Sequence, residues 1–133
     1  LIKKNSLGKR CVFIRKVPLE ILYKFVSSSD VGIILRKRDC LNVCVSLPNK
    51  LFEYLACGLP VISTDLLEVK KIITGDDIGR VYKEGDADSL RIAINYVITN
   101  YEKYRNNSRG AFIRKYNWKI EEKKLIEMYR GLS

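Results

Sequence analysis

Between residues 45 and 57 the chain places a carboxylate, an ammonium group and a run of backbone amides where they could act together. Glu53 and Lys50 are three positions apart and share one face if the segment is helical. A carboxylate so placed accepts hydrogen bonds from hydroxyl groups. A helix that opens behind a loop also presents free N–H groups at the positive end of its dipole, a setting that favours phosphate. The backbone around Ser46, Leu47 and Asn49 is therefore a candidate holder of a diphosphate. Taken alone, Lys50 and Glu53 also read as an ordinary surface ion pair, worth about 0.2–0.5 kcal/mol.

The elements that must carry these groups are legible. Pro48 suits the first turn of a helix, where its missing N–H has no intrahelical partner anyway. Leu51, Phe52 and Leu55 form an inward stripe, and Lys50, Glu53, Tyr54 and Cys57 line the opposite side. Gly58 stands where a helix end calls for a left-handed residue, and Pro60 blocks continuation. The β-branched run from Val61 to Thr64 then reads as a buried strand closing at Asp65. Helix, tight turn and strand make half of a βαβ crossover.

The same alternation runs along the chain. Strands are predicted at 11–15, 31–35, 61–64 and 79–82. Between and after them lie helices at 18–28 and 66–73, the latter ended by Gly75, then one capped by Asp88 with Leu90, Ile94, Val97 and Ile98 on a stripe, and two more from about Tyr101 and Trp118. Residues 36–45 read as a loop. Short apolar strands separated by helices predict an α/β fold, a doubly wound parallel sheet of Rossmann-like type, in one domain over residues 1–133. Arg36-Lys37-Arg38 falls at the carboxyl end of a strand, where ligands dock in such sheets, and reads equally as an ordinary basic surface loop. Asp65 is expected to cap the following helix. A full nucleotide-binding domain of this type has about six strands, so βα units are expected ahead of Leu1.

A formal net charge of +10, from 25 Lys+Arg against 15 Asp+Glu, calls for an anionic partner. Tyr101, Tyr104 and Tyr116 among Lys103, Arg105, Arg109, Arg114 and Lys115 superficially look like nucleic-acid interleaving. Inward-packing tyrosines on a solvated helix face are the preferred reading, so no nucleic acid is expected. No apolar run of 18 or more residues occurs and no signal-peptide layout opens the chain, which predicts a cytoplasmic protein. Cys11, Cys40, Cys44 and Cys57 lack C-x-x-C spacing and there is no His, so free thiols and no metal are expected. No carboxylate pair has the spacing of a hydrolytic couple, which disfavours a glycosidase.

The run Pro48-Asn49-Lys50-Leu51-Phe52-Glu53-Tyr54-Leu55-Ala56-Cys57-Gly58-Leu59-Pro60-Val61-Ile62 resembles the nucleotide-sugar-binding helix of retaining GT-B glycosyltransferases, glycosyl transferases group 1. The likeness extends from about Cys11 to Tyr116-Asn117-Trp118 and the last helix. The family motif has a Glu, seven intervening residues and a second Glu; the second matches Glu53, and the first position holds Val45. The resemblance implies that Glu53 accepts the donor ribose hydroxyls, and that the sugar contact at Val45 is altered. It implies a donor-binding surface of Val45, Ser46, Leu47, Asn49, Lys50, Glu53 and Arg36 for a nucleoside-diphosphate sugar, with no metal or other cofactor. It further implies an N-terminal acceptor domain outside this chain, a lipid-linked or polysaccharide acceptor, peripheral membrane contact, and a fragment that is inactive alone. The competing reading is a non-catalytic basic α/β module for nucleic acid or a protein partner; a nucleotide-sugar epimerase is a further enzymatic alternative.

Overall fold

The computed structural model describes residues 8 and 10–132. Ten elements follow in order: α1 (Leu19–Ser27), β1 (Gly32–Ile34), α2 (Leu41–Val45), α3 (Asn49–Ala56), β2 (Val61–Thr64), α4 (Leu67–Gly75), β3 (Gly79–Tyr82), α5 (Ala87–Thr99), α6 (Tyr101–Arg114) and α7 (Trp118–Arg130). The strands form one parallel sheet in the order β1-β2-β3, with Val61 opposite Gly32 on one side and Gly79 on the other.

Central β2 is buried along its whole length, as a parallel strand covered on both faces must be. Val61 packs on one face with Leu51, Leu55, Leu66, Val69, Ile73 and Ala111. Ile62 packs on the other with Tyr82, Ala93, Val97 and Tyr104. Two cores on opposite faces of one sheet give the doubly wound arrangement expected from the alternating pattern.

The strand expected at 11–15 does not form. Those residues have no regular structure, and Val12 and Phe13 are 81% and 84% exposed. A parallel strand exists only by pairing, and residues 11–15 pair with no strand among the described residues. Among the described residues β1 pairs on one side alone, with β2, and Ile33 and Leu35 are exposed.

Local corrections have simple causes. The segment read as a loop contains the short α2, which has no side-chain cap to announce it. Asp65 caps nothing: it pairs with Lys70 at 3.0 Å, and Leu66 takes the N-cap position of α4. That helix runs through Gly75, and Asp77 adopts the left-handed conformation instead (φ 48°). Asp86, not Asp88, caps α5, accepting from the Ser89 amide at 2.9 Å, while Asp88 pairs with Arg91. Ile98, assigned to the inward stripe, is exposed, and Ala93 takes its place in the core.

The end of α4 is tied to the end of α6 through Asp76. Its carboxylate pairs with Lys115 and accepts the Tyr116 hydroxyl at 2.6 Å. Burial would raise the Asp76 pKa, but the hydrogen bonds from Lys115 and Tyr116 and the charges of Lys115 and Arg114 outweigh it and hold the group below the ordinary carboxylate value. The folded value is thus lower than the unfolded one of about 3.9. Stability from this carboxylate is complete above that value and is lost as pH falls through the folded value. Thermal melts should therefore be flat from about pH 7 to 5 and decline below about pH 4, and Asp76→Asn should flatten that decline. An unchanged acid limb in Asp76→Asn contradicts this assignment.

Candidate functional site

Helix α3 begins and ends where its sequence dictates. Pro48 occupies the N-cap in an extended conformation. At the other end Gly58 is left-handed (φ 70°), the Gly58 amide donates to Leu55 O at 3.0 Å, and the Leu59 amide donates to Tyr54 O at 2.9 Å. That bond pair is a Schellman motif, which satisfies the terminal carbonyls and turns the chain directly into β2. Leu51 and Leu55 are fully buried and hold the helix on the sheet.

At the opening of α3 the Leu51 amide donates to Pro48 O at 3.0 Å. The amides of Asn49 and Lys50 have no acceptor among the described residues, so they remain available at the positive end of the helix. The Ser46 amide is not available: it donates to Asn42 O at 2.9 Å, closing α2. The Ser46 hydroxyl instead accepts from Arg36 Nη1 at 3.2 Å. Val45 and Leu47 are exposed on either side of Ser46.

Arg36 is fixed from two directions. Its carbonyl accepts from the buried Thr64 hydroxyl at 2.9 Å, which ties the carboxyl ends of β1 and β2 together. Its guanidinium reaches the segment before α3. The structure thus brings Arg36 and Ser46 together beside Leu47 and the α3 opening. Nearby, the Arg38 amide donates to Glu84 Oε2 at 2.9 Å, bringing the basic loop to the end of β3. A cavity of about 350 Å³ lies there, lined by Arg38, Asp65, Tyr82, Lys83, Glu84 and Ser89. Sequence reasoning reached Arg38 but missed Tyr82, Lys83 and Glu84; their position just after a strand was the available signal.

Glu53 is half-buried; its carbonyl accepts from the Cys57 amide at 3.2 Å, but its carboxylate has neither a hydrogen bond nor an ion pair among the described residues. Lys50 is exposed and does not pair with it, so the surface-pair reading of these two residues is not realised. The carboxylate acts on its neighbours through its field. Burial first, and the Glu53 charge second, raise the pKa values of Tyr54 and of Cys57. Tyr54 was assigned to the polar face, yet its ring lies against Gly32 of β1 and its hydroxyl meets Ile33 O at 3.4 Å.

An apolar cavity of about 420 Å³ adjoins the same helix, lined by Leu47, Phe52, Tyr116, Asn117, Trp118 and Glu121. Neither it nor the cavity at the strand ends is lined by Glu53. Of the basic residues considered for nucleic acid, Lys103 pairs with Asp77, Lys115 with Asp76, and Arg109 donates to Ala56 O. The tyrosines of that stretch pack inward: Tyr104 is fully buried and Tyr101 and Tyr116 are half-buried. Among the described residues no group of three His, Cys, Asp or Glu side chains could hold a metal ion, and no helix is long and apolar enough to cross a membrane.

Residues 1–114 match the family Glycosyl transferases group 1. A phosphatidyl-myo-inositol mannosyltransferase from Mycobacterium leprae (strain TN) is 24% identical over 86 residues, covering 62% of this chain and 23% of that protein. Sucrose-phosphate synthase from Thermosynechococcus elongatus superposes with a TM-score of 0.73 at 20% identity, over 98% of this chain and 32% of that one. The chain therefore spans about a quarter to a third of the relatives it matches.

Proposed function

This chain belongs to the glycosyl transferases group 1 family, and we propose that it is the donor-binding part of a transferase that moves a sugar from a nucleoside diphosphate to an acceptor. The observation that supports this best is the unpartnered, half-buried Glu53 carboxylate one turn inside a helix whose opening amides at Asn49 and Lys50 are unused. A carboxylate without a partner suits ribose hydroxyls, and free amides with Arg36 beside them suit a diphosphate. In this reading Lys50 adds a mobile cation, Ser46 holds Arg36 until phosphate arrives, and Leu47 and Val45 border the donor sugar. The amides and cations would stabilise the leaving diphosphate electrostatically, without a metal.

The acceptor side of the cleft would come from a separate N-terminal domain, and the chain by itself would not turn over, because half a cleft cannot orient an acceptor. Retention of anomeric configuration is what the family resemblance implies. A lipid-linked acceptor is supported by the name of the mannosyltransferase relative, which joins sugar transfer to a phospholipid. The charge of +10 favours peripheral approach to an anionic membrane, at about 1 kcal/mol per basic residue near the surface.

Isothermal titration of the complete protein with UDP, GDP and a short oligonucleotide tests this. One nucleoside diphosphate should bind saturably, and Glu53→Gln should weaken it about tenfold or more, the loss of a hydrogen bond to a charged group. Oligonucleotide binding in its place, or nucleotide binding indifferent to Glu53→Gln, rejects the reading.

A further inference from the structure

Both neighbours of Glu53 along the chain are seated against other elements. Successive side chains on an α-helix point about 100° apart, so Phe52 and Tyr54 flank Glu53 on opposite sides. The Phe52 ring lies 5.8 Å from that of Tyr116, tilted by 50°. The Tyr54 ring lies so close to Gly32 that a Cβ there would stand 2.3 Å from Cδ2 and 2.4 Å from Cγ, well inside any real contact. Its hydroxyl points to Ile33 O in the same strand at 3.4 Å. Further along the helix, Arg109 Nη1 donates to Ala56 O at 2.9 Å. Between the two seated rings, the Glu53 carboxylate has no hydrogen-bond or ion-pair partner among the described residues.

We infer that Tyr54, lodged in the notch that Gly32 leaves by having no side chain, is a positioning residue that sets the rotation of α3 and thereby aims the Glu53 carboxylate at its ligand. The inference rests on the donor-binding reading above. Rotation matters because a carboxylate roughly 6 Å from the helix axis moves about 2 Å for a turn of about 20°. Hydrogen bonds do not survive that displacement: at about 3.6 Å the interaction is no longer one. Leu51 and Leu55 fix how far α3 stands from the sheet, since both are fully buried beneath it. A close ring-on-backbone contact to one side of the axis resists rotation about it.

Nucleotide affinity of the complete protein, measured by titration with UDP and GDP, tests the idea. Tyr54→Phe keeps the ring in its notch and should bind within about twofold of the parent, since the hydroxyl contact is long. Tyr54→Ala and Gly32→Ala should each weaken binding about tenfold, and the two together no more than Tyr54→Ala alone. The deciding measurement repeats Tyr54→Ala in a Glu53→Gln background. A residue that acts through Glu53 should cost nothing further there, whereas simple packing would cost the same in both backgrounds. Equal losses in the two backgrounds overturn the inference, as does a Tyr54→Ala protein with parental affinity when Glu53→Gln binds weakly. If Glu53→Gln itself binds normally, it is the donor-binding reading that fails, and the inference falls with it. Should Gly32→Ala not fold, the two Tyr54→Ala measurements decide alone.

Discussion

Gly79→Ala is expected to destabilise the fold by about 3 kcal/mol or more, lowering Tm by about 10 °C or abolishing folding. Gly79 opens β3 opposite Val61, and a Cβ there would lie 1.8 Å from Val61 O, 2.7 Å from its carbonyl carbon and 2.9 Å from its nitrogen. All three obstacles are backbone atoms of the central strand, so no side chain can swing aside to admit the methyl group. Relief requires β2 and β3 to part, and β2 is the strand on which both cores rest. Gly75→Ala is the matched control, because nothing lies within 4 Å of a Cβ at that position. Calorimetry or thermal circular dichroism on the pair decides the matter; a Gly79→Ala protein that melts with the parent refutes the close approach of the two strands.

Leu55→Ala should cost about 2–5 kcal/mol, the range for removing a fully buried leucine side chain and leaving a cavity. Leu55 is 0% exposed and packs with Leu51, Val61, Val69 and Ile73 between α3 and the sheet. Its neighbours belong to two α-helices, α3 and α4, and a parallel strand, each held by its own backbone bonds, so collapse into the space is restricted. Leu47→Ala, on an exposed residue outside that core, should change stability by less than about 0.5 kcal/mol. Denaturant titration separates the two; a Leu55→Ala midpoint close to that of Leu47→Ala would mean that α3 is not anchored through this residue.

The sequence was most readable where local chemistry decides the conformation. Pro48 and Gly58 bracket α3 because one lacks a donor and the other lacks a Cβ, and neither property depends on the rest of the fold. β2 and β3 were legible because β-branched or apolar runs closed by turn residues have few alternatives. Residues 11–15 carry the same signal as those strands, yet remain unpaired, since pairing is a property of the neighbours and not of the segment. α2 escaped notice because five residues make barely more than one turn, too few for periodicity to register.

The candidate site shows the same division. Glu53 and the α3 opening could be named as candidates from the Pro48–Gly58 pattern together with the family resemblance, whereas the spacing of Lys50 and Glu53 alone reads equally as a surface pair. Ser46 could be named, but not that its amide would be spent on Asn42 and its hydroxyl on Arg36, because α2 was unseen. Tyr54 was placed on the solvent side by a two-sided picture of the helix, whereas α3 is embraced by the sheet below and by β1 to one side. A helix in a layered fold has flanks as well as a front and a back, and the flank is where its rotation is controlled.

The rim of β1 gives that control a second dependence. The Tyr54 ring rests on Gly32, in a strand that among the described residues has company only along β2. A rim strand is held from one side and gives more readily than one clasped from both, so the rest against which Tyr54 leans is only as firm as whatever borders it. Anything laid along that bare flank would steady the carboxylate two removes away. Filling out the sheet and sharpening the grip on a ligand would then be a single event.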